Sequence, residues 1–122
     1  LRGGEEMPET GLRGPYTLNN STIDEKVTET SAGAYALGLV NSDGAFVPKY
    51  VGRSDDDINA RLKDWIGKNY SHFKFEYYSS AKAAFEKECD LYHDWKKQLD
   101  NEQHPDRSNG TNWKCPRCDV FG

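Results

Sequence analysis

The chain has 122 residues, 30% of them charged, with a formal net charge of −4 and a mean hydropathy of −0.92. That length suits one soluble domain with a modest core, and no apolar run approaches the roughly 20 residues of a membrane span. Residues 1–32 carry Arg2, Arg13 and Lys26 against Glu5, Glu6, Glu9, Asp24, Glu25 and Glu29, a net −3. The rest is nearly neutral, which excludes a strongly basic nucleic-acid coat but not a local basic patch.

Residues 1–14, "LRGGEEMPETGLRG", have Gly, Glu and Pro without periodicity and read as a mobile arm. No signal-peptide pattern opens the chain, and a start without Met is what a fragment or a processed chain would show. Residues 15–32 are polar and read as irregular, with "PYTL" as a short extended piece at most. The pattern changes at Gly33. "GAYALGLV" is small and apolar between turn residues and predicts a strand. "NSDG" supplies an Asp-Gly turn, and "AFVPKYVG" predicts the returning strand, with Pro48 marking an edge or a bulge.

Ser54 is a candidate N-cap for a helix from about 55 to 67, with Asp55, Asp56 and Asp57 in its first turn. "HFKFEYYS" alternates and predicts a third strand. Ser79 or Ser80 would cap a long second helix ending near Leu99. The order strand, strand, helix, strand, helix predicts an α+β domain over 33–100, with a three-stranded antiparallel sheet flanked by helices and a tail over 101–122 packing back on it.

Each helix turns one charge inward. Ile58, Leu62, Trp65 and Ile66 mark the apolar face of the first, and Arg61 shares it. The second has an inward stripe of Ala81, Ala84, Phe85, Glu88, Tyr92, Trp95 and Leu99. An unpaired buried charge costs several kcal/mol. Arg61 and Glu88 therefore either pair with each other or line a cleft for a charged ligand. In the hairpin, a two-residue turn makes Tyr35 face Gly52 and Tyr50 face Leu37. Both tyrosines then share one face, with space beside them at Gly52; core packing is the plainer reading of that pair. A longer loop, or a bulge at Pro48, would break that register.

"GAY" at 33–35, "YVG" at 50–52, then Arg61 and Glu88 on successive helices together resemble the GIY-YIG nuclease superfamily over roughly residues 33–100. The resemblance implies a divalent-metal-dependent endonuclease acting on nucleic acid, chiefly DNA. Glu88 would hold Mg²⁺ or Mn²⁺. One of Tyr35 and Tyr50 would activate or orient the attacking water, and Arg61 would stabilise the phosphate. Gly52 matches the second motif's glycine. Lys49 and Arg53 flank that motif, as holders of neighbouring phosphates or as plain surface charge. The family often adds a late Asn, for which Asn101, Asn109 and Asn112 are candidates and Asn109 is favoured. It often carries His or Tyr where this chain has Trp65. An inactive nucleic-acid or protein-binding module on the same fold is the alternative, and a targeting module, attached or separate, is an implied partner.

Three cysteines leave one over from any disulfide framework, which favours a reducing, intracellular compartment. Cys89 and His93 lie one helical turn apart, and Cys115 and Cys118 form a C-x2-C knuckle. These four predict a structural Zn²⁺ site tying the tail to the domain, with His104 able to replace His93. A buried Cys89 and a surface C-x2-C are the alternative.

Overall fold

The structure is a computed structural model that describes residues 9–121. Its elements are β1 (Arg13–Thr17), α1 (Asn20–Lys26), β2 (Gly33–Val40), β3 (Phe46–Ser54), α2 (Ile58–Lys63), β4 (His72–Tyr77) and α3 (Ala81–Trp95). The α+β class holds, but the sheet has four strands in the order β1-β4-β2-β3, not three, and every neighbouring pair is antiparallel. Among the described residues no helix is long and apolar enough to cross a membrane.

The extra strand begins at the end of the expected mobile arm and takes in the short extended piece at "PYTL", and the extra helix lies in the segment read as irregular. β1 pairs with β4, Tyr16 facing Phe73, and Arg13 places a fork on Glu76 at 3.0 and 2.7 Å. Asn19 caps α1 by accepting the Thr22 N–H at 2.8 Å. Ile23 and Val27 then turn one face of α1 into the core. The folded unit therefore includes residues before Gly33. Most of the expected mobile arm, residues 1–8, lies outside the described residues.

Strand pleating sends alternate residues of β2 to opposite faces. Tyr35 and Leu37 join Ile23, Ile58, Leu62 and Phe75 on the α1–α2 side; Ala34 and Ala36 meet Val51, Leu91 and Trp95 under α3. The small residues on the second face let α3 lie close. α2 is shorter than expected. Its N-cap is Asp57, whose carboxylate accepts the Ala60 N–H at 3.2 Å. Ser54 instead accepts the Asp57 N–H at 2.9 Å in the turn before it. α3 starts after Ser80, as the pattern predicts, and ends at Trp95.

The tyrosine register stands through two departures that offset each other. The hairpin loop has three residues, closed by Gly44 N–H to Asn41 O at 2.9 Å, with Gly44 at φ +82°. That shifts the pairing by one, to Gly38 opposite Pro48. An irregularity between Leu37 and Gly38 shifts it back, so Tyr50 faces Leu37 and Tyr35 faces Gly52.

β3 is an edge strand, and the tail covers it. Gln98 Nε2 donates to Pro48 O at 2.8 Å, and the Asp100 N–H donates to Lys49 O at 2.6 Å. Asn101 Oδ1 accepts the Val51 N–H and its Nδ2 donates to Val51 O, both at 2.9 Å, so one side chain occupies the place of a pairing strand.

Ile23 is fully buried, so Ile23→Ala is expected to cost about 2–5 kcal/mol in urea unfolding. A loss below about 0.5 kcal/mol, the size of an ordinary surface change, would mean that α1 is not part of the core.

Candidate active site and metal centre

Past Val51 the tail no longer bonds the backbone of β3, and a cleft of about 440 Å³ opens beside Gly52, Arg53 and Ser54. Because β3 is the last strand, groups from both faces of the sheet meet around its edge. Tyr35, Tyr50, Arg61 and Trp65 come from the α2 side; Glu88 comes from α3. Tyr35, Tyr50, Gly52, Arg61 and Glu88, the five residues matched by the family resemblance, therefore line one cleft.

Tyr35 is 1% exposed. Its Oη accepts the Trp65 Nε1–H at 2.9 Å. An indole can only donate, so the tyrosine proton is left for a group in the cleft. Burial pushes the Tyr35 phenol well above its ordinary range, so it stays protonated. Burial also raises Tyr50, with the Glu88 charge adding to it. Tyr50 packs against Trp65 with ring centroids 4.5 Å apart and planes tilted by 45°. Gly52 is required by close approach: a Cβ there would lie 2.5 Å from Tyr35 Cζ.

Arg61 and Glu88 do not pair. Arg61 is 51% exposed and only loosely paired with Asp64, at 3.9 Å. Its guanidinium therefore lines the open cleft rather than the core. The partner of Glu88 is Arg53, at 2.8 Å, each side chain 12% exposed. Arg53 is therefore neither surface charge nor a free holder of flanking phosphates. Its Nε donates to Asp55 at 2.7 Å, its Nη1 to Asp106 O at 2.8 Å and its Nη2 to Ser108 at 3.3 Å. Burial pushes the Glu88 carboxyl up to about 7, against the opposing pull of Arg53. Only Oε1 of Glu88 is bonded to Arg53; Oε2 has no hydrogen-bond partner among the described residues.

Two expected site residues stand elsewhere. Lys49 contributes its carbonyl to Asp100 and does not line the cleft. Asn109 is exposed and outside the cleft, while its neighbour Ser108 reaches Arg53 and Asp55. Asp55 and Ser108 had no sequence signal, since their proximity depends on where the tail folds.

The tail forms a second centre. His93, His104, Cys115 and Cys118 bring their donor atoms within 4.8 Å of one another, a cluster that could hold a metal ion. His93 Nε2 is 3.3 Å from His104 Nε2 and 3.4 Å from Cys115 Sγ, and Cys118 Sγ is 3.4 Å from His104 Nε2. Tetrahedral Zn–N and Zn–S bonds of about 2.0 and 2.3 Å would space such donors about 3.3–3.8 Å apart. His104 Nδ1 lies 2.7 Å from Pro105 O, an arrangement that gives Nδ1 the proton and leaves the Nε2 lone pair for the cluster. The Arg117 N–H reaches Cys115 Sγ at 3.3 Å. His104 thus replaces Cys89, not His93. Cys89 is fully buried against Phe85 and Cys115 and is not in the cluster; burial and the neighbouring Cys115 push its thiol up.

Comparison of the chain with protein-family models, with curated proteins and with solved structures gave no match.

The two ligand sets make different predictions. Zn²⁺ should bind at one ion per chain, measured by mass spectrometry under native conditions. His104→Ala should weaken it by about 10–100-fold or more, as loss of a ligand or its support does, while Cys89→Ala should keep the stoichiometry. The reverse pattern would restore Cys89 as the ligand.

Proposed function

We propose that this chain is a divalent-cation-dependent phosphodiesterase of the GIY-YIG type that cleaves nucleic acid, with DNA as the favoured substrate, and that its His/Cys centre carries a structural Zn²⁺. The observation that carries the reading is the meeting of Tyr35, Tyr50, Arg61 and Glu88 in one polar cleft, although they come from β2, β3, α2 and α3.

The donor set fits a hard cation. Glu88 offers one carboxylate oxygen without a hydrogen-bond partner among the described residues, in a cleft open enough for waters and a phosphate. Mg²⁺ or Mn²⁺ held there would supply Lewis acidity and offset the charge that builds on the phosphorus oxygens. Arg61 is free enough to place its planar fork on those oxygens. The Tyr35 O–H, which stays protonated, donates a hydrogen bond to a phosphate oxygen or to the oxygen of the attacking water. Tyr50, also held neutral, orients that water rather than deprotonating it. Trp65 fixes which way the Tyr35 hydroxyl points.

A second reading has its own support. Arg53 already neutralises Glu88, and Trp65 cannot accept a proton where the family often has His or Tyr. Both features suit a module that binds nucleic acid or protein without cutting it. In either reading a targeting module would supply substrate choice.

Cleavage of supercoiled plasmid and single-stranded DNA in Mg²⁺ or Mn²⁺ separates these readings. The enzyme reading predicts metal-dependent cutting that falls by about 10²–10³-fold in Arg61→Ala, the loss typical of a removed charge-stabilising donor, and at least as far in Glu88→Gln. DNA binding without cutting by the folded wild type would favour the binding module.

A further inference from the structure

The cleft and the His/Cys centre are joined through one side chain. Three groups that hold Arg53 come from the tail: Asp106 O, Ser108 Oγ and the Trp113 ring, whose centroid lies 5.8 Å from Cζ. All three fall between His104 and Cys115, two residues of the metal cluster. Phe85 lies beside Trp113, ring centroids 5.4 Å apart, with its own centroid 5.1 Å from Cζ. Asp55 ties the two halves together, since it accepts from both Arg53 and Ser108.

The loop from 104 to 115 has no helix or strand to hold it. Inside it, Thr111 bonds back to Ser108 through both its N–H and its hydroxyl, and Arg107 donates to Trp113 O at 3.0 Å. A segment so short of regular structure depends on its anchors, and here the residues at both ends belong to the cluster that could hold a metal ion. Arg53 in turn bonds Oε1 of Glu88, which decides which oxygen is left for the cleft. Adding positive charge beside a cation site does not by itself help the cation. What Arg53 contributes is therefore orientation: a fork bonded on several sides holds a long carboxylate in one rotamer.

We propose that Arg53 is a positioning residue for Glu88, and that a metal ion in the His93–His104–Cys115–Cys118 cluster is what holds the tail loop around Arg53. The metal centre is then part of the cleft's architecture rather than only a clasp for the chain end. The consequence for cation binding rests on the reading of Glu88 as a cation ligand; the clamp itself does not.

The test is solvent exchange of the Arg53 Nε–H proton, followed by NMR in the full chain with Zn²⁺ bound and after chelation. Amides of β2 and β4 report whether the sheet stays folded. The clamp predicts a protected Nε–H with Zn²⁺ bound and exchange at least about tenfold faster after chelation, with sheet amides still protected. Unchanged Arg53 exchange after chelation overturns it. If the sheet also loses protection, Zn²⁺-loaded Ser108→Ala decides: faster Arg53 exchange supports the clamp and an unchanged rate overturns it. Mn²⁺ added to the Zn²⁺-loaded protein should broaden signals around Glu88, and less so in Arg53→Lys, which keeps the charge but loses the fork. Equal broadening in the two overturns the positioning role. No broadening in the wild type overturns the cation reading of Glu88, and with it that role, while Arg53 exchange still decides whether the metal holds the loop.

Discussion

A guanidinium set into the side of an edge strand constrains much of this molecule. Arg53 is 12% exposed, and a charge taken that far from water needs partners on several sides, because leaving it unpaired costs several kcal/mol. Those partners come from three parts of the chain. Asp55 lies two residues on, Glu88 is on α3, and Asp106 and Ser108 are in the tail. The aromatic rings of Phe85 and Trp113 cover what the hydrogen bonds leave. Satisfying one side chain thus fixes the rotation of α3 and the path of the tail together.

Sheet topology explains why a cleft forms here. In the middle of the sheet, residues on its two faces are separated by a continuous layer of backbone. At β3 there is no further strand, so Tyr35 and Arg61 from one side can meet Glu88 from the other. An open edge invites unwanted pairing, and the tail prevents it along 48–51, where Gln98, Asp100 and Asn101 take up the free backbone groups. The cover stops at Gly52. There the missing Cβ makes room for the Tyr35 ring, and the edge turns from protected surface into site.

Parts of this were legible from residues alone. Alternation gave β2, β3 and β4, and the inward stripe gave α3. β1 and α1 were hidden because one is a five-residue edge strand interrupted by Gly and Pro, and the other buries a single side chain fully. The tyrosine register came out right although the loop length was wrong, since the β2–β3 irregularity restores it. Helical spacing found Arg61 and Glu88 but could not show that their helices lie on opposite faces, so it suggested a pair where the true partner is Arg53. The same limit applies to the metal centre. An i, i+4 pair shows that Cys89 and His93 share a helix face, not which of them the returning tail will meet. The tail brings His104, Cys115 and Cys118 to His93, while Cys89 packs on Phe85 and Cys115 outside the cluster.

Anomalous X-ray scattering from crystals grown with Zn²⁺ and then soaked in Mn²⁺ addresses the central claim directly, because it locates each ion without relying on turnover. The account predicts a zinc peak among His93, His104, Cys115 and Cys118, and a separate manganese peak in the cleft within about 2.0–2.5 Å of Glu88 Oε2, with Arg53 still on Oε1. A cleft empty of manganese, or manganese bound at Asp55 and Asp56 while Glu88 keeps only Arg53, would contradict it.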